Sequence, residues 1–139
     1  MYEIVETLTQ HDALIGAWRL IVWLSAAYLV ILGALIFLRP AIVHRFFDGF
    51  VSSRGVNFLE AALRLMVGLA FMGVSLETKL PFVFFWFGVI LAATAIPMIF
   101  LYTFHKRQAA WAVPFVKRIL PLMGACAIAL GAAIGWASL

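Results

Sequence analysis

Glu60 and Arg64 stand four residues apart inside an otherwise apolar stretch, 58–76, and no other pair of side chains on this chain has a clearer capacity for chemistry. On a helix that spacing puts both on one face with Glu ahead of Arg, the favourable order, so the two charges can share the cost of leaving water. Counting inward from Leu76 at about 1.5 Å per residue puts Arg64 about 18 Å from that edge, well inside a hydrocarbon core about 30 Å thick. The pair reads as a structural ion pair, as a contact to a partner subunit, or as a station on a proton or ion pathway. A pathway needs further ionisable groups, and the other apolar stretches have none near their centres.

The remaining reactive residue types are scattered. His44 and His105 each follow an apolar stretch, while His11 precedes the first. Two histidines at one depth could hold a haem or a chlorophyll-type pigment, but such ligands ordinarily sit within a span, so interfacial histidines without a cofactor are expected. The single cysteine, Cys126, can form no internal disulfide. No His, Cys and carboxylate cluster has metal-ligand spacing, and no nucleotide loop or nucleophile elbow occurs, so the sequence offers no catalytic, cofactor or metal site and an enzyme is not expected. Pro97 removes the helical bond to the carbonyl of Ala93 and should kink its helix, with Thr94 nearby to satisfy the freed group.

The elements that hold these residues follow from composition. The chain has 139 residues, 66% of them hydrophobic and 12% charged, with mean hydropathy +1.11. So few polar groups cannot cover the surface of a small water-soluble fold. Apolar runs at 15–38, 58–76, 81–104 and 116–136 approach or exceed the roughly 20 residues that cross a bilayer core. They read as helices, because lipid offers an open sheet edge no partner and the alternation of a barrel strand is absent. The start carries Glu3, Glu6 and Asp12 and no basic residue, so it lacks the positive region of a cleavable signal and the first helix is expected to be retained.

Orientation comes from the basic residues. Arg39, Arg45, Arg54 and Arg64 follow or flank the first run, and Lys106, Arg107, Lys117 and Arg118 follow the third, leaving Arg19 and Lys79 elsewhere. Basic residues in short loops resist translocation, which puts 39–57 and 105–118 in the cytoplasm and both termini in the periplasm of a bacterial inner membrane. A pI of 9.7 does not imply nucleic acid here, since the charges lie in membrane-proximal loops where anionic headgroups are the counter-charge. The aromatics sort by depth as interfacial belts do. Trp18, Trp23, Phe82, Trp86 and Trp136 fall near the outer ends, and Tyr102, Phe104, Trp111 and Phe115 near the inner ones.

The first inner connection is patterned. Ile42, Val43, Phe46, Phe47, Phe50 and Val51 recur as one stripe at helical spacing, with His44, Arg45, Asp48 and Ser52 opposite. Pro40 can open this helix and 52–55 can close it, so an amphipathic helix is expected in the cytoplasmic interface, either as a lipid-embedded connector or as a docking face built on Phe46, Phe47 and Phe50. On the last span Gly124, Ala127, Gly131 and Gly135 form a smooth face for helix contact, within the chain or with another one. Gly68 and Gly73 on the second span, with Ala26, Gly33 and Ala34 on the first, are similar but less regular.

The fold expected is an all-α integral membrane protein forming one domain, 1–139, an antiparallel bundle of four spans. It is built as two hairpins in parallel repeat, 13–76 and 81–137, with the interfacial helix between spans one and two. In the first half Leu38-Arg39-Pro40 leads through a basic connection to a helix with Arg64, Gly68 and Gly73. In the second, Phe104-His105-Lys106-Arg107 leads to Lys117-Arg118 and a helix with Gly124 and Gly131. This pattern resembles small uncharacterised bacterial inner-membrane proteins built from a span, an Arg-Pro stop, an amphipathic basic linker and a Gly-containing second span. The resemblance implies an architecture and no active site. The function expected is that of an accessory or scaffold subunit of a larger membrane complex, with other subunits or a second copy as partner. The alternative is a small oligomeric transporter or channel with Glu60 and Arg64 near its pathway.

Overall fold

The computed structural model describes residues 1–10, 12–49 and 52–139, and among them the chain is entirely helical, with no strand. His11, Phe50 and Val51 lie outside the described residues, and with them part of the amphipathic stripe. Among the described residues four helices are long and apolar enough to cross a membrane: α2 (Asp12–Leu38), α4 (Arg54–Val74, continued by a 3-10 turn, Ser75–Glu77), α5 (Pro81–Phe100) and α7 (Leu120–Ala137). Three shorter or more polar helices accompany them: α1 (Tyr2–Leu8), α3 (Pro40–Asp48) and α6 (Tyr102–Arg118).

Local chemistry sets most of the ends. α3 opens on Pro40, whose missing N–H would be unpaired there anyway. Ser53, in an extended conformation, accepts from the Val56 N–H at 3.2 Å and so caps α4. α5 also opens on a proline, Pro81, and stops where Leu101 leaves the helical region at φ −121°, ψ 53°.

That stop corrects the expected extent of the third span. The apolar run continues to Phe104, but Tyr102, Thr103 and Phe104 belong to α6, a separate helix with Pro114 inside it that carries the chain to Arg118. The fourth span accordingly begins at Leu120, not at Val116. The expected Thr94 bond also differs. Its hydroxyl donates to the Leu91 carbonyl at 2.7 Å, because a helical threonine reaches carbonyls one turn back and not that of the residue before it.

The spans pair most tightly as α4 with α5 and α2 with α7, and α2 against α4 joins the pairs; α5 and α7 are not among the packed pairs. Near the terminal face, where the chain ends and the α4–α5 connection lie, all four spans share one core. Val22 and Ala26 of α2 meet Phe71 and Val74 of α4, Phe84 of α5, and Ile134 and Ala137 of α7. The Lys79 N–H closes this end by donating to the Ala137 carbonyl at 2.9 Å. Toward the opposite, basic face the core divides. Ala61, Ala95 and Met98 pack between α4 and α5, while Ile36, Val43 and Leu120 pack between α2, α3 and α7. The two helix pairs therefore converge at the terminal face and have separate interiors at the basic one.

α1 is held by tertiary contacts. Val5 is buried against Met72 and Phe85, and the Trp18 indole N–H donates to the Leu8 carbonyl at 2.9 Å. A helix of seven residues has little stability of its own, so these contacts determine that it forms.

Candidate functional site

α4 carries Glu60 and Arg64 on the side turned toward its neighbours, and Arg64 is ten residues from each end of that helix, about 15 Å at 1.5 Å per residue. The guanidinium donates to Glu60 Oε1 at 2.8 Å, with side-chain exposures of 37% for Arg64 and 18% for Glu60. Glu60 Oε2 is buried and has no partner. Tyr28 on α2 lies in electrostatic reach of Glu60. The site is thus a carboxylate with one oxygen held and the other bare, in the region where the helix pairs have separate cores. A bare carboxylate oxygen in such surroundings is an acceptor for a proton, a hydroxyl or an N–H.

Asn57, one turn before Glu60, has no counterpart in the sequence reasoning. It is 3% exposed, and its side-chain amide donates to the Met98 carbonyl of α5 at 2.6 Å. A continuing helix would bond that carbonyl to the N–H of Tyr102, and the break at Leu101 removes this donor. Asn57 supplies the replacement from across the interface. The signal that could have found it is a lone carboxamide in a stretch about to enter the membrane.

The expected interfacial stripe divides by side. Val43 is buried and Phe47 packs with it against α2 and α7, while Ile42 and Phe46 are largely exposed. Phe46 and Phe47 are in ring contact, with centroids 5.8 Å apart, and Phe50 lies outside the described residues. α3 is tied to α6 by an ion pair between Asp48 and Lys117. α6 itself is amphipathic, with Lys106, Arg107, Lys117 and Arg118 on its polar side and Trp111 and Phe115 stacked and exposed. Two tethered helices thus line the basic face, where the sequence suggested one.

Of the small-residue face on α7, Gly124 and Gly131 lie against α2. A Cβ on Gly124 would meet Ile36 and Phe37 at 2.9 Å, and one on Gly131 would stand 2.7 Å from the Ala26 carbonyl oxygen. Ala127 is half-buried, and a Cβ on Gly135 would make ordinary contact with Trp23 at 3.6 Å. Cys126 is exposed on the same helix. His105 Nε2 is buried without a partner, whereas His44 is half-buried on α3. Among the described residues no three His, Cys, Asp or Glu side chains gather in a metal-binding group.

At the terminal face Arg19 pairs with Glu77, its Nε lying 2.6 Å from Oε2. The Lys79 ammonium stands 4.5 Å above the Trp136 ring and donates to the Trp136 carbonyl at 3.1 Å. Arg19 and Lys79, the two cations of the terminal face, are thereby occupied within the chain. No protein-family model, curated protein or solved structure matches the chain.

Proposed function

We propose that this protein is a non-catalytic accessory or scaffold subunit of a bacterial inner-membrane assembly, with its basic face toward the cytoplasm and its termini in the periplasm. The carrying observation is the pair of helices on that face, α3 and α6, joined by the Asp48–Lys117 ion pair, with α3 anchored through Val43 against Ile36 and Leu120. A face fixed in shape before a partner arrives loses less conformational freedom on docking than a pair of loose loops would. It also exposes Ile42 and Trp111 beside basic side chains, a composition suited to another subunit at the membrane surface. The test is purification in mild detergent from its own membrane. A partner should co-migrate in fixed stoichiometry and be lost from Ile42→Ser/Trp111→Ser while the helical spectrum and thermal midpoint hold. A lone monomer, or a partner indifferent to that double substitution, would sink the reading.

The two halves also support a parallel repeat. α2-α3-α4 and α5-α6-α7 have one order, span, interfacial helix, span. The two tightest pairings, α4 with α5 and α7 with α2, are the contacts that a two-fold axis along the membrane normal would exchange, whereas the packing of α2 on α4 has no equal between α5 and α7. An oligomeric transporter or channel is the second reading, favoured by the unpartnered Glu60 Oε2 at mid-depth. A homogeneous homo-oligomer in the same purification, with vesicle flux abolished by Glu60→Gln, would select it over the first.

A further inference from the structure

Where α5 gives way to α6, the backbone turns at Leu101 and leaves an open groove of about 800 Å³ against the start of α4. Its polar wall contains Arg54, Gly55, Asn57, Tyr102 and Arg107, and Phe58, Ile99 and Phe100 continue it along the spans. At the corresponding junction of the other pair, where α2 passes into α3 beside the start of α7, Ile36, Val43, Phe47 and Leu120 pack together.

We propose that this groove binds a glycerol-type anionic phospholipid by its headgroup, with the phosphodiester held by Arg54 and Arg107 and a headgroup hydroxyl donating to Asn57 Oδ1. The anion fits on charge. Arg54 and Arg107 are both exposed, Arg54 being held over the Tyr102 ring at 5.5 Å, and among the described residues no carboxylate lines the groove. The first-turn amides of α4, at Arg54 and Gly55, add donors that a helix leaves without an internal acceptor. The hydroxyl fits on an independent observation. Asn57 lines the groove, is 3% exposed and has its amide committed to Met98, yet its Oδ1 has no partner, so a groove residue carries a buried acceptor in want of a donor. Phe58, Ile99 and Phe100 give the acyl chains an apolar path continuous with the bilayer. Phosphatidylglycerol meets all of these demands. Phosphatidylcholine brings no headgroup donor and no net charge.

The measurement is native mass spectrometry of the full chain in mild detergent, titrated with phosphatidylglycerol, phosphatidylcholine and sn-glycerol 3-phosphate separately. Phosphatidylglycerol should bind about tenfold more tightly than phosphatidylcholine, as expected when one hydroxyl bond is added and the choline cation is no longer held beside Arg54 and Arg107. Arg107→Gln, an exposed change that leaves the Asn57 bond in place, should remove most of that preference. Arg118→Gln, equally basic and outside the groove, should leave it unchanged. Equal loss from both variants would mean diffuse attraction of anionic lipid to the whole face and would overturn the site. Glycerol phosphate binding as well as the lipid would overturn the lipid as occupant, and equal binding of the two lipids would overturn the headgroup recognition.

Discussion

The backbones of Gly68 and Gly88 lie against each other where α4 crosses α5. A Cβ on Gly68 would stand 2.7 Å from the Gly88 carbonyl oxygen, and one on Gly88 would stand 2.5 Å from that of Gly68. Lipid gives two helices no hydrophobic reason to associate, so their stability rests on close van der Waals approach of this kind. Gly88→Leu should therefore force the helices apart and cost about 1–3 kcal/mol. Gly16→Ala is the control, since nothing lies within 4 Å of a Cβ there. It should be neutral or gain up to about 1 kcal/mol from helix propensity. Thermal unfolding in detergent followed by circular dichroism compares the two, and a midpoint equally insensitive to both would contradict the crossing.

The bond from Asn57 to the Met98 carbonyl makes a second prediction. Asn57→Leu should destabilise the chain by about 1–3 kcal/mol, the cost of a buried carbonyl left without a donor. The same substitution should loosen the α5–α6 junction, read as faster amide exchange at Tyr102 and Thr103 relative to the middle of α4. Exchange that stays as in the parent would mean that α5 stops at Leu101 for reasons within its own sequence.

Four spans were legible because lipid demands long apolar runs, and α3 was legible because Pro40 and a repeating stripe announce it. α6 was not. Its first residues, Tyr102 to Phe104, extend the apolar run of α5, and Pro114 inside it reads as a break. The break at Leu101 separates the two helices, and the side chain of Asn57, 41 residues before Met98, holds the carbonyl it frees. α1 was hidden for a related reason, since Val5 becomes helical by packing on Met72 and Phe85. The Glu60–Arg64 contact was legible from spacing alone, being local to one helix. The neighbourhood of Tyr28 and the bare oxygen on Glu60 were not, because they depend on how α2 packs on α4. Span order was partly legible. The short 77–80 link makes α4 and α5 neighbours, whereas the pairing of α2 with α7 comes from side-chain fit such as Gly33 against Gly124.

If Glu60 and Arg64 form a structural pair, breaking it from one side should hurt more than removing it. Arg64→Leu leaves a mid-span carboxylate without its guanidinium, and should lower folded yield in detergent and stability by about 1–3 kcal/mol. Arg64→Leu/Glu60→Leu removes both charges and should recover most of that loss, because no unpaired group remains. A double variant as unstable as the single one would show that the carboxylate has another essential partner, and Tyr28→Phe then tests the hydroxyl in electrostatic reach of it.

The basic residues give the last prediction. Arg39, Arg45, Arg54, Lys106, Arg107, Lys117 and Arg118 lie on or beside α3 and α6, against Asp48 alone among acids there. The opposite face has Arg19 and Lys79, the first paired with Glu77 and the second held at Trp136. Moving seven cations across a membrane against the potential is far costlier than moving two, so the basic face should remain cytoplasmic. After Cys126→Ala removes the native thiol, Leu139→Cys, Ser52→Cys and Gln108→Cys each place one thiol at an exposed position. A membrane-impermeant maleimide added to intact spheroplasts should label Leu139→Cys alone. Permeabilised membranes should label all three. Labelling of Gln108→Cys in intact spheroplasts would invert the topology, and divergent labelling of Ser52→Cys and Gln108→Cys would break the two-helix face on which the scaffold reading rests.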